Sequence, residues 1–286
     1  MTTATYTRAR MSYGFLLTPK AIFGLIMIGA LIIAGAFAPF IAPFNPARQD
    51  LLMAMTPPQL TGPHYLGTDH VGRDLLSRLI YGARVSLLIA IAVVFFSGIV
   101  GVFLGIVSGY FGGRIDSFIQ KFLEVFWAFP PLLLAIAIVA FLGQSLTIVI
   151  VALASQRWIP YCRLARAETM ALRDREFVVA ARSLGAGHAR ILREHILPNI
   201  IPSTLVVGTF AMATAIISEA ALSFLGLGVP PSIPTWGGML ADARAYISTS
   251  WWMALFPGLC IFLTVLGINL LGDVLRSHFD PKIKNF

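Results

Sequence analysis

Five stretches of this 286-residue chain contain no aspartate, glutamate, lysine or arginine: 21–43, 85–113, 125–156, 195–218 and 245–272. Uncharged blocks of that length restrict the fold more than any other feature. A helix needs about 20 apolar residues to cross the hydrocarbon core of a bilayer, and there it must satisfy its own backbone hydrogen bonds. Block 125–156 is too long for one crossing and is interrupted at Gly143-Gln144-Ser145, so it divides in two. The expectation is an all-α membrane protein with six spans, roughly 21–43, 86–110, 118–142, 145–164, 199–222 and 252–274. Charged residues make up 12% of the chain, against about a quarter in soluble domains.

The first span has a basic leader, Arg8, Arg10 and Lys20, and Ala36-Phe37-Ala38 has the look of a signal-peptide cleavage site. Its apolar run exceeds the roughly 7–15 residues of a signal-peptide core, and Pro39 would follow the cut. It reads as a retained anchor. The net charge of +8 raises the question of a nucleic-acid partner, but its distribution answers to topology. With the N-terminus inside, sixteen of the 21 Lys and Arg residues fall in internal segments, Arg157 being counted at the inner end of the fourth span. Arg48, Arg73, Arg78, Arg84 and Arg244 fall outside. That bias puts both termini in the cytoplasm. Two cysteines, Cys162 and Cys260, support neither a disulfide framework nor a metal site.

Four segments lie between or beyond the spans: a leader at 1–20, an external segment at 44–85, an internal loop at 165–198 and an external loop at 223–251. A tail follows at 275–286, and 86–274 holds the five-helix core. In the second span Gly101, Gly105 and Gly109 share a face, a ridge that lets another helix approach closely. Pro130-Pro131 removes two backbone donors from the third span and kinks it.

The internal loop, with EFVVAARSLGAGHARILREHILPN at 176–199, is helical but too charged to cross a bilayer. Asp174 is placed to cap a helix through 176–184. Gly185 can turn left-handed and end it. A second helix runs from His188 to Leu197 and stops against Pro198, which opens the fifth span. Phe177, Ala180, Ala181 and Leu184 form a small-residue stripe flanked by Arg173, Arg175 and Arg182. Such a helix fits a groove on another protein; its basic flank equally fits anionic lipid headgroups.

In the external segment Thr68-Asp69 is placed to cap an amphipathic helix through 72–79, lying at the outer interface. Its charged residues Asp69, Arg73, Asp74 and Arg78 are candidates for contact with a partner, or are solvated. His64 and His70 read as surface residues, without a metal-ligand constellation around them. Glu219, at the outer end of the fifth span, is a candidate by its position near the membrane interior.

AARSLG followed after nine residues by H-I-L-P resembles the cytoplasmic EAA loop of binding-protein-dependent ABC transporter permeases. Ala180, Ala181, Gly185, Leu197 and Pro198 match that pattern, while Val179 stands at its glutamate and His195 at its isoleucine. Glu176 offers a carboxylate one turn before Val179. HYLGTDHVGRDLLSRLIYGARVSLL at 64–88, LSFLGLGVPPSIPTWGGML at 222–240 and NLLGDVLRSHFDPKIK at 269–284 are similar to dipeptide, oligopeptide and nickel permeases, with the second, C-type subunit the best likeness.

The resemblance implies a type I ABC importer permease fold in a bacterial cytoplasmic (inner) membrane. It further implies a homologous second permease, two cytoplasmic ABC ATPases and an extracytoplasmic solute-binding protein, with lipid around them and no nucleic acid. In that reading 176–184 is the coupling helix, with Glu176, Phe177, Ala180, Ala181, Arg182, Leu184 and Gly185 docking on an ATPase and Leu197-Pro198 closing the loop. ATP and Mg belong to the ATPases, and the chain binds no cofactor or metal of its own. None of its four lysines follows a glycine, so it contains no phosphate-binding P-loop. Peptides are the expected cargo; nickel or another small solute, a self-contained secondary transporter and a lipid-binding scaffold are the other readings.

Overall fold

In a computed structural model of the chain, residues 17–59 and 61–279 are described. The basic residues of the leader up to Arg10, and Lys282 and Lys284 of the tail, fall outside them. Among the described residues every extended element is a helix, and the one β-bridge joins Thr68 to Asp74. The helices are α1 (Pro19–Ala36), α2 (Ala38–Ile41), α3 (Leu75–Phe111), α4 (Gly113–Trp127), α5 (Pro131–Leu142), α6 (Leu146–Leu172), α7 (Glu176–Ser183), α8 (His188–Ile191), α9 (Leu197–Phe224), α10 (Trp236–Ala243) and α11 (Trp252–Phe279). Four helices are long and apolar enough to cross a membrane, or five when α4 and α5 are taken as one bent span. The remaining candidate, α6, is 27 residues long but carries Gln156 and Arg157 just before its midpoint and Arg163 and Arg166 beyond it.

The breaks in the apolar blocks come where the punctuating residues stand. Gly143 takes φ +89, and Ser145 caps α6 by accepting the Ile148 N–H. Pro130-Pro131 does more than kink its span: α4 and α5 meet at 80°. The ridge of Gly101, Gly105 and Gly109 packs against α6, where a Cβ on Gly105 would lie 2.5 Å from the Cys162 carbonyl oxygen and 2.7 Å from the Ala165 Cβ. The central core joins Ile89 and Val93 of α3, Val139 of α5, Val149 and Leu153 of α6, and Ile216 of α9.

One expected helix start moves, and one expected break is closed. Asp74, not Thr68-Asp69, caps the outer helix, its carboxylate accepting the Ser77 N–H at 2.8 Å. The helix that begins there is α3 itself, continuous through the second apolar block for 37 residues. Leu75, Ser77, Arg78 and Leu79 are all buried, the two leucines against α10 and Trp252, so this turn is part of a core and not an amphipathic interfacial helix. Pro198 stands in the first turn of α9 as expected, but no break separates α9 from the helix before it. Helix runs from His188 to Phe224 by way of a π-helical turn at Leu192–Ile196, in which the Leu197 N–H reaches back five residues to the Leu192 carbonyl. The widened turn absorbs the donor that proline lacks.

Candidate functional site

The hairpin α7–α8 sits at the end of the molecule where α3 and α6 finish. Helix α7 lacks the expected side-chain cap: Arg175 is its N-cap residue and no side-chain bond closes it, while exposed Asp174 pairs with Arg173 at 3.4 Å. Its C-terminus is firmly made. Gly185 takes φ +83, its N–H donates to the Arg182 carbonyl and the Ala186 N–H to the Ala181 carbonyl, both at 3.0 Å. This is the paired-bond stop that a left-handed glycine allows. A Cβ on Gly185 would meet nothing within 4 Å, so the glycine is there for its backbone angle.

One residue outside the expected stripe anchors the helix. Val178 is fully buried with Ile106, Ala165, Ile191, Ile196 and Ile200. The Tyr110 hydroxyl meets His188 Nδ1 at 2.9 Å, and the Arg182 guanidinium stands 5.9 Å from the Tyr110 ring. Leu197 packs at the edge of the same cluster, whereas Pro198 is exposed. With Val178 turned inward, the opposite face is uncovered: Phe177 is 39% exposed, Val179 47% and Leu184 88%. Ala180 is exposed and Ala181 half-buried. Glu176 is exposed too, with no hydrogen bond or ion pair to another described residue. Val178 was detectable in principle, since it lies a helical turn before Ala181 and Arg182 on the side opposite Leu184.

The four outer candidates are not an exposed interface. Asp69, Arg73, Asp74 and Arg78 are all buried. Asp69 Oδ2 accepts from Arg73 Nε at 2.6 Å and from Arg78 Nη1 at 2.5 Å. Asp242, on α10, accepts from Arg73 Nη2 at 3.1 Å and Arg78 Nη1 at 3.3 Å. Burial pushes the Asp69 carboxyl upward, but Arg78 and Arg73, with the Arg73 backbone N–H, outweigh it and hold it below its ordinary value. His64 and His70 are packed as well: His64 Nδ1 meets Asp74 at 2.9 Å, and the His70 ring stacks on Tyr246. Glu219 is buried beside α10, accepting from Ser223 Oγ at 2.8 Å.

Arg157 lies eleven residues beyond the start of α6 and fifteen before its end, well inside the helix. Its guanidinium donates to Thr214 and Ser218 of α9.

Residues 101–285 match the model of the binding-protein-dependent transport system inner membrane component family, and residues 15–58 match the N-terminal TM domain of oligopeptide transport permease C. The chain is 45% identical to the di/tripeptide transport system permease protein DppC of Pseudomonas aeruginosa, over 93% of this chain and 89% of that one. It is 38% identical to the oligopeptide transport system permease protein OppC of Bacillus subtilis, over 92% and 86%. Among solved structures, a chain of the MetNI methionine ABC transporter in an inward-facing conformation superposes with a TM-score of 0.57 at 18% identity, covering 70% of this chain and 96% of that one. The chain belongs to the family of binding-protein-dependent transport system inner membrane components, and is a multi-pass inner-membrane permease subunit with the type I ABC importer fold.

Proposed function

We propose that the chain is one of two homologous membrane subunits of an ATP-driven peptide importer, and that α7 is the helix through which it is driven. The observation that carries this is the division of α7 into a locked face and a bare one: Val178 fixed in the core, and Phe177, Val179 and Leu184 left uncovered. An apolar helix face held rigidly at a protein's end suits a groove on another subunit. Two cytoplasmic ABC ATPases, holding the ATP and Mg, supply those grooves, and an extracytoplasmic binding protein delivers the solute. Peptide cargo is supported by the names of the relatives, di/tripeptide and oligopeptide permeases. The topology that fits is six spans, with α4–α5 as one and α6 as another, and both termini on the side of the α7 hairpin.

Closure of the ATPases then moves α7, and with it Tyr110 on α3 and the α9 root, as one body; rigid-body rotation of this kind opens and closes transport paths. Glu176 and Arg182 orient the helix, and Ala180 and Ala181 keep its face thin. Ala180→Asp places a carboxylate in the contact, where an unpaired buried charge costs several kcal/mol. The expected result is normal membrane insertion with loss of copurifying ATPase and of labelled dipeptide uptake. Parental uptake by that variant would refute the docking role.

A further inference from the structure

The α4–α5 break and the mid-helix position of Arg157 meet in one place. A cavity of about 700 Å³ opens there, between the break, α6 and α9. Gln156 Nε2 donates to the carbonyls of Phe126 and Phe129, at 2.8 and 3.0 Å, satisfying backbone that the 80° bend releases. Non-helical backbone at membrane depth is tolerated where it is buried in protein or lines a water-filled cavity, and broken helices commonly frame solute sites in transporters. Trp127, Phe129 and Pro130 give the cavity an apolar wall, and Arg157 is its one ionisable lining residue.

Arg157 has no acidic partner among the described residues. Its contacts are the Thr214 hydroxyl, the Thr214 carbonyl at 3.0 Å and the Ser218 hydroxyl at 2.6 Å. A guanidinium has five N–H donors in a rigid fork, so these three bonds aim the group and leave donors over. An uncompensated cation within a span is costly and marks solute pathways when it faces a cavity. Helix α5 also begins at this rim, at Pro131, bringing the positive end of its dipole to the same space.

We propose that this cavity is a carboxylate-binding station on the translocation path, with Arg157 as the specificity-determining residue that engages the carboxylate of a passing peptide. The inference rests on the peptide-importer reading above. A C-terminal carboxylate is common to free peptides whatever their side chains, and an Arg fork matches it in shape and charge. One such contact, among neutral hydroxyls and rings, guides a varied cargo without gripping it. A purely structural role, tying α6 to α9, is the competing explanation, and the test must separate the two.

The complete transporter, with its partner permease, ATPases and binding protein, is reconstituted in proteoliposomes carrying the parental chain, Arg157→Gln or Arg157→Lys. Uptake of labelled Ala-Ala, Ala-Ala amide and Ala-Glu amide is measured beside binding-protein-stimulated ATP hydrolysis. Arg157→Gln is expected to lower Ala-Ala uptake about tenfold or more, the loss of a hydrogen bond to a charged group, while ATP hydrolysis persists and Ala-Ala amide uptake is unaffected. Arg157→Lys recovers part of the loss. Sensitivity of Ala-Glu amide assigns recognition to any carboxylate; insensitivity assigns it to the C-terminal one. Unchanged Ala-Ala uptake by Arg157→Gln overturns the inference, and so does a parallel fall in uptake and ATP hydrolysis in both variants, the mark of a strut. A parental complex that imports none of these peptides fails at the earlier step, removing the cargo reading and this inference together.

Discussion

At the scale of single residues, the buried charges are the most consequential feature of the outer end. Asp69 is 1% exposed and holds two arginines from its own segment, which Asp242 joins from α10. Two acids and two bases leave the cluster neutral, but each member depends on the others, because removing one partner of a buried pair strands a charge. Asp69→Asn is expected to destabilise the fold by about 3 kcal/mol, measured as a lowered thermal midpoint of the detergent-solubilised protein. The Asp69 carboxyl is held below its ordinary 3.8, so its contribution is complete above the unfolded value and is lost as pH falls through the lower folded one. Stability traced by thermal melts should therefore be insensitive to pH near neutrality and fall below about pH 4, a fall that Asp69→Asn makes shallower. The local sequence marks Asp69, Arg73, Asp74 and Arg78 as notable without revealing their burial, because the partner that completes the cluster, Asp242, is remote in the chain. The bonds of Arg157 were hidden for a related reason: Thr214 and Ser218, which hold it, are remote in the chain.

At the scale of elements, the glycines separate close packing from backbone freedom. Gly105 has backbone and Cβ atoms of α6 within 2.7 Å of where its own Cβ would lie, while Gly29 has nothing within 4 Å. Gly105→Ala is expected to lower stability by about 1–3 kcal/mol through overpacking, and Gly29→Ala to be neutral or stabilising by up to about 1 kcal/mol in a helix; the two melting curves decide it. Gly185 belongs to neither case, since its surroundings are empty but its φ is +83. Replacing it strains the α7 stop and so reports on the turn before it reports on docking. The glycine ridge was legible because its four-residue spacing puts the three on one face, and the breaks because proline and glycine cannot continue a helix. The uninterrupted passage of His188–Phe224 through Pro198 was not legible, since it depends on a π turn that no residue announces.

For the whole molecule, α3 is the member that connects the two ends. Its first turns pack with the outer cluster, its glycine face lies along α6, and Tyr110 in its last turn holds the α7–α8 hairpin. At 37 residues it is about 55 Å long, enough to couple both surfaces of a bilayer through one rigid element. The account stands on the bare face of α7 being seated in an ATPase. A photo-crosslinking amino acid at Leu184, with one at buried Val178 as control, tests this in membranes containing the whole transporter. The expected result is a Leu184 adduct with the mass of this chain plus an ATPase subunit, and none from Val178. Adducts of Leu184 with phospholipid alone, in a transporter that is importing peptide, would contradict it.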